Sequence, residues 1–206
     1  MNLIKTSISI LVTTATVASG IFVATQPSVA DSRESVLTPT VPKGSIVNRG
    51  ISESEVLAAQ KAWGEALVAI STTYETKGIQ TAKALAGKVI DAAYGYQFGP
   101  VLFKPTLTVA PQTFRTTRAG ALAYFVGGDP AFPKDKGFAL KGWRKVKVEN
   151  SAVFISGNTA TTMGNVMITN KEGKVTTVDK TWQYVKDDNG KLRIVLHHSS
   201  LPYTGK

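Results

Sequence analysis

Both histidines of the chain stand side by side near its end, in the run His197-His198-Ser199-Ser200. This run continues an apolar stretch, residues 192–196, that reads as a buried strand. Because strand side chains alternate between two faces, His197 and Ser199 are predicted to share one face, about 7 Å apart at a rise of roughly 3.3 Å per residue. An imidazole and a hydroxyl inside an apolar strand need polar partners if they are buried. The pair is therefore the first candidate for chemistry.

The apolar residues around this pair predict how the strand is packed. Strict alternation places Leu192, Ile194 and Leu196 on one face, and places Val195 and Leu201 beside the polar pair on the other. Both faces are therefore expected to be buried. One face can pack on helices, and the other predicts a homodimer that forms through the sheet. A polar strand end, with hydroxyls bonded to the backbone and histidines facing solvent, is the alternative interpretation.

The residue types exclude several common kinds of site. Two histidines and no cysteine cannot supply a three-histidine zinc site within one chain. The sequence has no HExxH, GxSxG or glycine-rich phosphate motif, and Gly127-Gly128 is interpreted as a helix stop. A Ser-His-Asp triad is not favoured, because nothing marks the strained turn that exposes a nucleophilic serine.

Residues 1–30 have the pattern of a secretory signal. Lys5 is the one charged residue, and an apolar and small-residue run extends from Ile8 to about Val23. Ser28-Val29-Ala30 offers small residues at the positions that a signal peptidase reads, so cleavage is predicted before Asp31. Export to the periplasm or a thylakoid lumen is expected. A membrane anchor is the alternative, and no later stretch is apolar enough to cross a bilayer stably.

The composition of the remainder limits its partners. The predicted mature chain, residues 31–206, has a net charge of +9 and no cysteine, so its fold depends on core packing or oligomerisation. Its lysines are scattered and not interleaved with aromatic residues. That pattern is typical of a solvated basic surface and predicts no nucleic-acid partner, although it leaves a bias toward small anions.

The chain divides into a predicted flexible segment, residues 31–50, and one domain, residues 51–206. In the domain, helix signals come first and strand signals follow. A capping box at Ser52 and Glu55 opens a helix that ends near Gly78, a second helix runs from Ile79 to about Tyr94, and a third follows a cap at Thr113 or Thr116. Strands are predicted over residues 143–149, 152–156, 160–169, 175–186 and 192–201. This order predicts an α+β fold with helices on one face of a curved, mainly antiparallel sheet.

The order of elements resembles the nuclear-transport-factor-two-like (SnoaL-like) fold, a cone-shaped barrel whose sheet curls around its helices and leaves a pocket at the open end. Three segments, KTWQY at 180–184, DDNG at 187–190 and HHSSLP at 197–202, resemble the iota-class carbonic anhydrases over about residues 52–203. That family usually has three histidines before two serines, and Leu196 takes the first position here. This departure argues against metal binding, and the sequence resembles the metal-free branch of the family.

The resemblance implies a carbonic anhydrase that converts carbon dioxide and water reversibly to bicarbonate. It implies a pocket lined by Thr106, Tyr124, His197 and Ser199. As alternatives, Thr106 would be a turn residue and Tyr124 a core residue of a helix face. Four aromatic residues are candidate apolar walls from the sequence pattern: Phe103, Phe125, Trp143 and Trp182.

The implied mechanism uses no cofactor. Hydroxyl groups would position water and bicarbonate and stabilise developing charge, and His197 would orient Ser199 or shuttle a proton. No residue is identified as the base. Zinc or manganese stays an open alternative, because an acid could join His197 across a dimer interface.

Two other classes of function are compatible with the same fold. A cone-fold isomerase would need a carboxylate in the pocket, which would have to be Asp91, Asp129 or Asp179. A non-catalytic small-ligand binding or assembly domain would need neither a base nor the hydroxyls.

Overall fold

A long helix and a five-stranded sheet make up most of the chain that the computed structural model describes, residues 50–205. The helices are α1, Glu53–Ala93, and α2, Arg118–Val126, followed by a short 3-10 turn at Phe138–Leu140. The strands are β1, Leu102–Lys104; β2, Trp143–Ser156; β3, Thr159–Asn170; β4, Val175–Lys186; and β5, Leu192–Ser200. The predicted signal, residues 1–30, and residues 31–49 lie outside the described residues.

Helix α1 joins the two helices predicted at its position. Its start is the predicted capping box, in which the Ser52 side chain accepts from the Glu55 amide and Glu55 accepts from the Ser52 amide. Gly78, with φ 77° and ψ 177°, interrupts the helical conformation and kinks it. No helix within residues 50–205 combines the length and hydropathy needed to span a membrane.

Helix α2 begins later than predicted. Its cap is Thr117, whose side chain accepts from the Gly120 amide, so the predicted caps Thr113 and Thr116 are wrong. The preceding segment is held by other contacts, because the Arg115 amide donates to the Phe103 carbonyl at 2.8 Å. The helix ends as predicted at Gly127, which has φ 67°.

A buried ion pair fixes the connections on both sides of α2. Arg115 Nε and Nη2 donate to the two carboxylate oxygens of Asp135 at 2.8 and 2.7 Å. Arg115 Nη1 donates further to the carbonyls of Gln112 and Phe114. These bonds pair both charges away from water, and so the loop before α2 and the loop after it are held together.

The strand order across the sheet is β1-β5-β4-β3-β2. Strand β1 runs parallel to β5, and the other neighbours are antiparallel. The predicted α+β class with a mainly antiparallel sheet is therefore confirmed. The sheet stays open with β1 and β2 at its edges, so the predicted barrel does not close.

A bulge in β5 changes the predicted alternation of its side chains. Gln183 pairs with Leu196 and Tyr184 pairs with Ile194, so Val195 is an extra residue on β5. Ile194 therefore shares the buried inner face with His197, whereas Leu196 lies on the outer face. The prediction that Ile194 and Leu196 share a face is wrong for this reason.

The polar pair of β5 lies as predicted, with His197 and Ser199 both buried on the inner face. Leu201 follows the end of the strand and is exposed, so its predicted burial is wrong. The polar residues thus stand at the end of the strand, but they face the core.

A second bulge merges two predicted strands into β2. Pairing with β3 passes from Asn150 to Ala152, which leaves Ser151 as the extra residue. The bulge brings the carbonyl of Glu149 against Gly164 of β3, where a Cβ would lie 2.0 Å from the carbonyl oxygen. Glycine is thus required at this crossing of two backbones.

We expect Gly164→Ala to lower the free energy of unfolding by about 1–3 kcal/mol, because the added methyl group forces the bulge and β3 apart. Urea denaturation monitored by tryptophan fluorescence measures the change.

The matched control is Gly87→Ala in α1, where the nearest atom to a Cβ would be Nη2 of the flexible Arg118 side chain at 3.3 Å. Alanine favours a helix over glycine by about 1 kcal/mol, so this variant should keep or gain stability. Equal stability losses in the two variants would contradict the role given to the bulge.

Candidate active site

Ser199 and Thr106 form a hydroxyl pair at the end of the two parallel strands. Strand β1 pairs with β5 through Phe103 and His197, and Thr106 lies just beyond its last residue. Thr106 Oγ1 is 2.5 Å from Ser199 Oγ, a short hydrogen bond between hydroxyls. Lys104 Nζ donates to the Ser199 carbonyl at 3.1 Å. The parallel pairing of β1 with β5 therefore sets the position of this pair.

Tyr124 adds a third hydroxyl from α2. Its side chain is buried, and its hydroxyl lies beside the Thr106 side chain and the Leu107 backbone. Burial raises the pKa of Tyr124, although hydrogen bonding to Leu107 and Thr106 opposes the shift. The hydroxyl therefore stays protonated near neutral pH and can donate a hydrogen bond.

His197 is bonded through both ring nitrogens. Nδ1 is 2.9 Å from the Tyr94 hydroxyl, and Nε2 is 2.9 Å from Lys180 Nζ. Trp63 Nε1 donates to the Tyr94 oxygen at 3.0 Å. The imidazole therefore belongs to a chain of polar groups leading to Lys180, and its nitrogens are engaged there and not by Ser199.

Lys180 is the functional candidate that the sequence analysis missed. It is 5% exposed, and its Nζ lies 4.6 Å from the ring centre of Trp63 and 5.2 Å from that of Trp182. Within residues 50–205 no carboxylate forms an ion pair with it. A signal was present in the sequence, because Lys180 occupies an apolar position in the alternation of Val178, Trp182 and Tyr184.

Burial sets the charge state of this lysine and of the histidine. Burial lowers the pKa of Lys180 to about 7, because an ammonium loses its hydration there. Burial also lowers the pKa of His197 well below its ordinary value, with smaller contributions from Lys180 and His198. His197 is therefore neutral near neutral pH, and Lys180 is poised between its two charge states.

Three of the four predicted wall residues lie close to this cluster. Phe103 stacks on His197 with ring centres 4.4 Å apart, and Trp182 lies 5.6 Å from the same ring. Phe125 stacks behind Phe103 at 5.9 Å. The buried Nε1 of Trp182 has no hydrogen-bond partner among residues 50–205, which leaves a donor for water or a substrate oxygen.

Trp143 is separated from Tyr124 by one aromatic ring, that of Phe138. It packs on Phe138 with ring centres 5.5 Å apart, and Phe138 stacks on Tyr124 at 5.3 Å. Its Nε1 donates to the Phe138 carbonyl at 2.6 Å. Trp143 therefore supports the ring that backs Tyr124.

A small basic cavity opens beside Tyr124. Its volume is about 130 Å³, and three exposed lysines contribute to its lining, Lys134, Lys136 and Lys141. A larger groove of about 620 Å³ lies between α1 and β2, and none of the four predicted pocket residues lines it. Of the four predicted pocket residues, Tyr124 alone lines the small cavity.

The acids that an isomerase would need lie elsewhere. Asp91 forms an exposed ion pair with Arg118, and Asp179 is exposed on the outer face of the sheet. Asp129 accepts from the Ala131 amide at 2.9 Å. None of the three is buried as a carboxylate base among the hydroxyls.

Within residues 50–205 no three histidine, cysteine, aspartate or glutamate side chains are grouped so that they could hold a metal ion. The arrangement instead offers hydroxyls, an amine and an imidazole inside aromatic walls. Such groups can position water, donate to a developing oxyanion and move a proton.

Comparison with known proteins identifies the family. A family model described as metal-independent carbonic anhydrase matches residues 54–201. The metal-independent carbonic anhydrase of Nostoc sp. (strain PCC 7120 / SAG 25.82 / UTEX 2576) is 70% identical over 203 residues, which are 98% of this chain and 99% of that protein.

One solved structure of high sequence identity supports this family. An iota-carbonic anhydrase from a cyanobacterium, crystallised with bicarbonate, is 79% identical with a TM-score of 0.76, and the match covers 77% of this chain and 97% of that chain. A nuclear transport factor 2 (NTF2-like) superfamily protein from Salmonella enterica subsp. enterica serovar Typhimurium str. LT2 matches at 16% identity with a TM-score of 0.38, over 73% of this chain and 96% of that chain.

The resemblance to iota-class carbonic anhydrases is thereby confirmed, and the family description agrees with the prediction that no metal cofactor is used. Both the family match and the two closely similar relatives cover most of the described residues. The chain belongs to the family of metal-independent carbonic anhydrases.

Proposed function

We propose that this chain hydrates carbon dioxide reversibly to bicarbonate at the hydroxyl cluster of Ser199, Thr106 and Tyr124. The observation that supports this site most directly is the 2.5 Å contact between Ser199 Oγ and Thr106 Oγ1, with the Tyr124 hydroxyl beside it. The aromatic ring of Phe103 packs edge-on against Tyr124 and supplies an apolar wall.

The chemistry of the reaction fits such a pocket. Carbon dioxide is apolar and bicarbonate is an anion, so the site needs apolar walls and a few fixed donors. Without a metal, no bound cation lowers the pKa of the attacking water. Positioning of the water and stabilisation of the developing negative charge must then supply more of the acceleration. Tyr124, which stays protonated, is a suitable donor to a bicarbonate oxygen.

Charge around the cavity beside Tyr124 supports an anionic substrate. Lys134, Lys136 and Lys141 line the cavity beside Tyr124, and the carboxylate of Asp135 is neutralised by Arg115. A cleft lined by one sign of charge raises the local concentration of the opposite ion. Bicarbonate would thus be attracted to the side of the pocket from which Tyr124 is reached.

We expect Ser199→Ala to reduce carbon dioxide hydration about 100-fold or more, because one preorganised hydroxyl is lost where charge develops. Stopped-flow hydration assays should be run on purified protein after exhaustive chelation, with metal content measured by mass spectrometry. The fold should survive, since the change removes a single oxygen.

The matched control is Ser200→Ala, the neighbouring serine on the opposite face of β5, which should leave activity unchanged. Full activity of Ser199→Ala would contradict the assignment of this site. Activity that disappears from the unsubstituted protein on chelation and returns with zinc or manganese would overturn the metal-free mechanism but not the reaction.

We infer further that the protein forms a homodimer through the outer face of its sheet. A register row crosses all five strands there without a charged residue: Leu102, Leu196, Gln183, Thr161 and Phe154. Leu102 and Phe154 are exposed, and so is Met163 in the adjacent row. An uncharged sheet surface that carries several exposed large apolar side chains is typical of a protein interface.

Sedimentation velocity tests this proposal. We expect the unsubstituted protein to sediment as a dimer and Phe154→Lys as a monomer, because a buried ammonium without a partner is costly at an interface. Leu57→Lys, a charge placed on the exposed side of α1, is the control and should stay dimeric. Dissociation by Leu57→Lys instead of Phe154→Lys would move the interface to the helix side.

We also propose that the protein is exported and that residues 1–30 are removed. Support comes from Lys5, the apolar run after it, and the small residues Ser28 and Ala30. After expression in a bacterium, intact mass spectrometry of the periplasmic fraction should find a chain that begins at Asp31. Ala30→Leu should leave the precursor uncut, whereas Ala24→Leu should not; equal processing of both would contradict this cleavage site.

A further inference from the structure

The hydrogen-bond directions around His197 can be derived from the chemistry of its neighbours. Indole nitrogen can only donate, so Trp63 Nε1 donates to the Tyr94 oxygen at 3.0 Å. The Tyr94 hydroxyl must then donate its own proton to another acceptor, and His197 Nδ1 lies 2.9 Å away. If Tyr94 donates to Nδ1, the ring proton of the neutral imidazole lies on Nε2.

This arrangement aims the Nε2 proton at Lys180 Nζ, 2.9 Å away. A proton donor on Nε2 requires a lone pair on the lysine nitrogen, which only the neutral amine has. The reverse arrangement, with Nδ1 donating to Tyr94, leaves the buried Tyr94 hydroxyl proton without an acceptor in this chain of polar groups. The geometry therefore favours a neutral Lys180 in this state.

The position of Lys180 connects this amine with the hydroxyl pair. Lys180 and Ser199 are direct partners in the register of β4 with β5, and both are buried on the inner face. Trp182 and His197 form the next pair on that face. The lysine stem therefore runs beside Ser199 before its nitrogen reaches His197.

We propose that Lys180 is the proton acceptor of the hydration reaction, a catalytic base held as a neutral amine by His197. This inference rests on the proposed function and names the base that the hydroxyl cluster lacks. Serine, threonine and tyrosine hydroxyls are too weakly basic to keep a proton from water at neutral pH. The one lone pair of neutral His197 is on Nδ1, where it accepts from Tyr94 on the side of the ring away from Lys180. A buried amine without a carboxylate partner is the remaining basic group on this face.

The reaction balances with this base. The water oxygen forms a bond to the carbon of carbon dioxide, and one O–H bond of the water breaks. The water proton passes to the Ser199 oxygen while the Ser199 hydroxyl proton passes to the lone pair of Lys180 Nζ, which first turns from the Nε2 proton of His197 toward Ser199. Bicarbonate leaves as the anion, and Lys180 remains as the ammonium. The ammonium then gives its proton to solvent buffer, which restores the neutral amine.

The surroundings of Lys180 suit both charge states. The rings of Trp63 and Trp182 lie close enough to stabilise the ammonium by cation–π attraction. The other ionisable groups on this inner face are Tyr94, Tyr124, Tyr184 and His197. Lys104 and His198 are paired on the opposite face of the sheet, where the Lys104 ammonium donates to the Ser199 carbonyl. None of these is a carboxylate that would hold the proton on the lysine, so the ammonium can release it.

The first test combines a substitution with a pH profile. Hydration by the unsubstituted protein should rise with pH to a plateau with a midpoint at about 7, where Lys180 loses its proton. Lys180→Met should lose about 100-fold or more of this activity, the usual contribution of a general base, and its residual activity should lack the midpoint. Lys145→Met, an exposed lysine on the outer face of β2, is the control and should keep both activity and profile.

A second measurement distinguishes a catalytic base from a structural lysine, and it does not depend on whether Lys180→Met folds. The 13C shift of the Lys180 side chain next to its nitrogen should titrate with a midpoint near 7 in the unsubstituted protein. A midpoint near that of an ordinary lysine, about 10.4, would overturn the proposal. Full activity of Lys180→Met with an unchanged profile would also overturn it, whereas an inactive unsubstituted protein would instead refute the proposed function.

Folding stability supplies a third readout with a defined sign. Between pH 7 and the ordinary lysine pKa the unfolded chain holds a proton on Lys180 that the folded chain does not, so stability should rise with pH across this window. Lys180→Met removes that proton from both states and should flatten the rise. An unchanged rise in Lys180→Met would mean that Lys180 stays charged in the folded protein, contrary to the proposal.

Discussion

The site depends on the register in which β5 lies between β1 and β4. Parallel pairing with β1 brings Thr106 to Ser199, and antiparallel pairing with β4 places Lys180 and Trp182 opposite Ser199 and His197. The extra residue Val195 sets which side chains of β5 then turn inward. A slip of one residue would turn the imidazole and the serine to the outer face and replace them with residues that belong there. Hydroxyls, base and aromatic wall are therefore fixed together by one set of strand pairings.

The buried polar groups are a cost to the fold that the site requires. A lysine and a histidine inside an aromatic core lose their hydration, and this loss lowers the pKa of each. The chain from Trp63 through Tyr94 to His197 limits the cost by pairing each nitrogen and oxygen. An apolar residue in place of the lysine would pack there without this loss of hydration. The presence of an amine at this position is explained by chemistry and not by stability, as is common at functional sites.

The sequence predicted the features that depend on a local residue pattern, and it missed those that depend on pairing between distant segments. The capping box at Ser52, the helix stop at Gly127 and the shared face of His197 and Ser199 follow from spacing alone, and the structure has them. The meeting of Thr106 with Ser199 requires a parallel pair between segments about ninety residues apart, so only family resemblance pointed to it. Lys180 was missed because lysine is rarely fully buried, although its place in an apolar alternation marks it.

The same register explains why the departure at position 196 is compatible with the family's chemistry. In iota-class sequences the motif usually has a third histidine where this chain has Leu196. The bulge at Val195 places Leu196 on the outer face, next to Leu102 of β1, while His197 faces the core. A histidine there would point away from His197 and could not join it on one metal ion. The replacement by leucine therefore changes the outer surface of the sheet and leaves the hydroxyl cluster and Lys180 intact. This is the result expected for chemistry that relies on the hydroxyls and the lysine and not on a row of histidines.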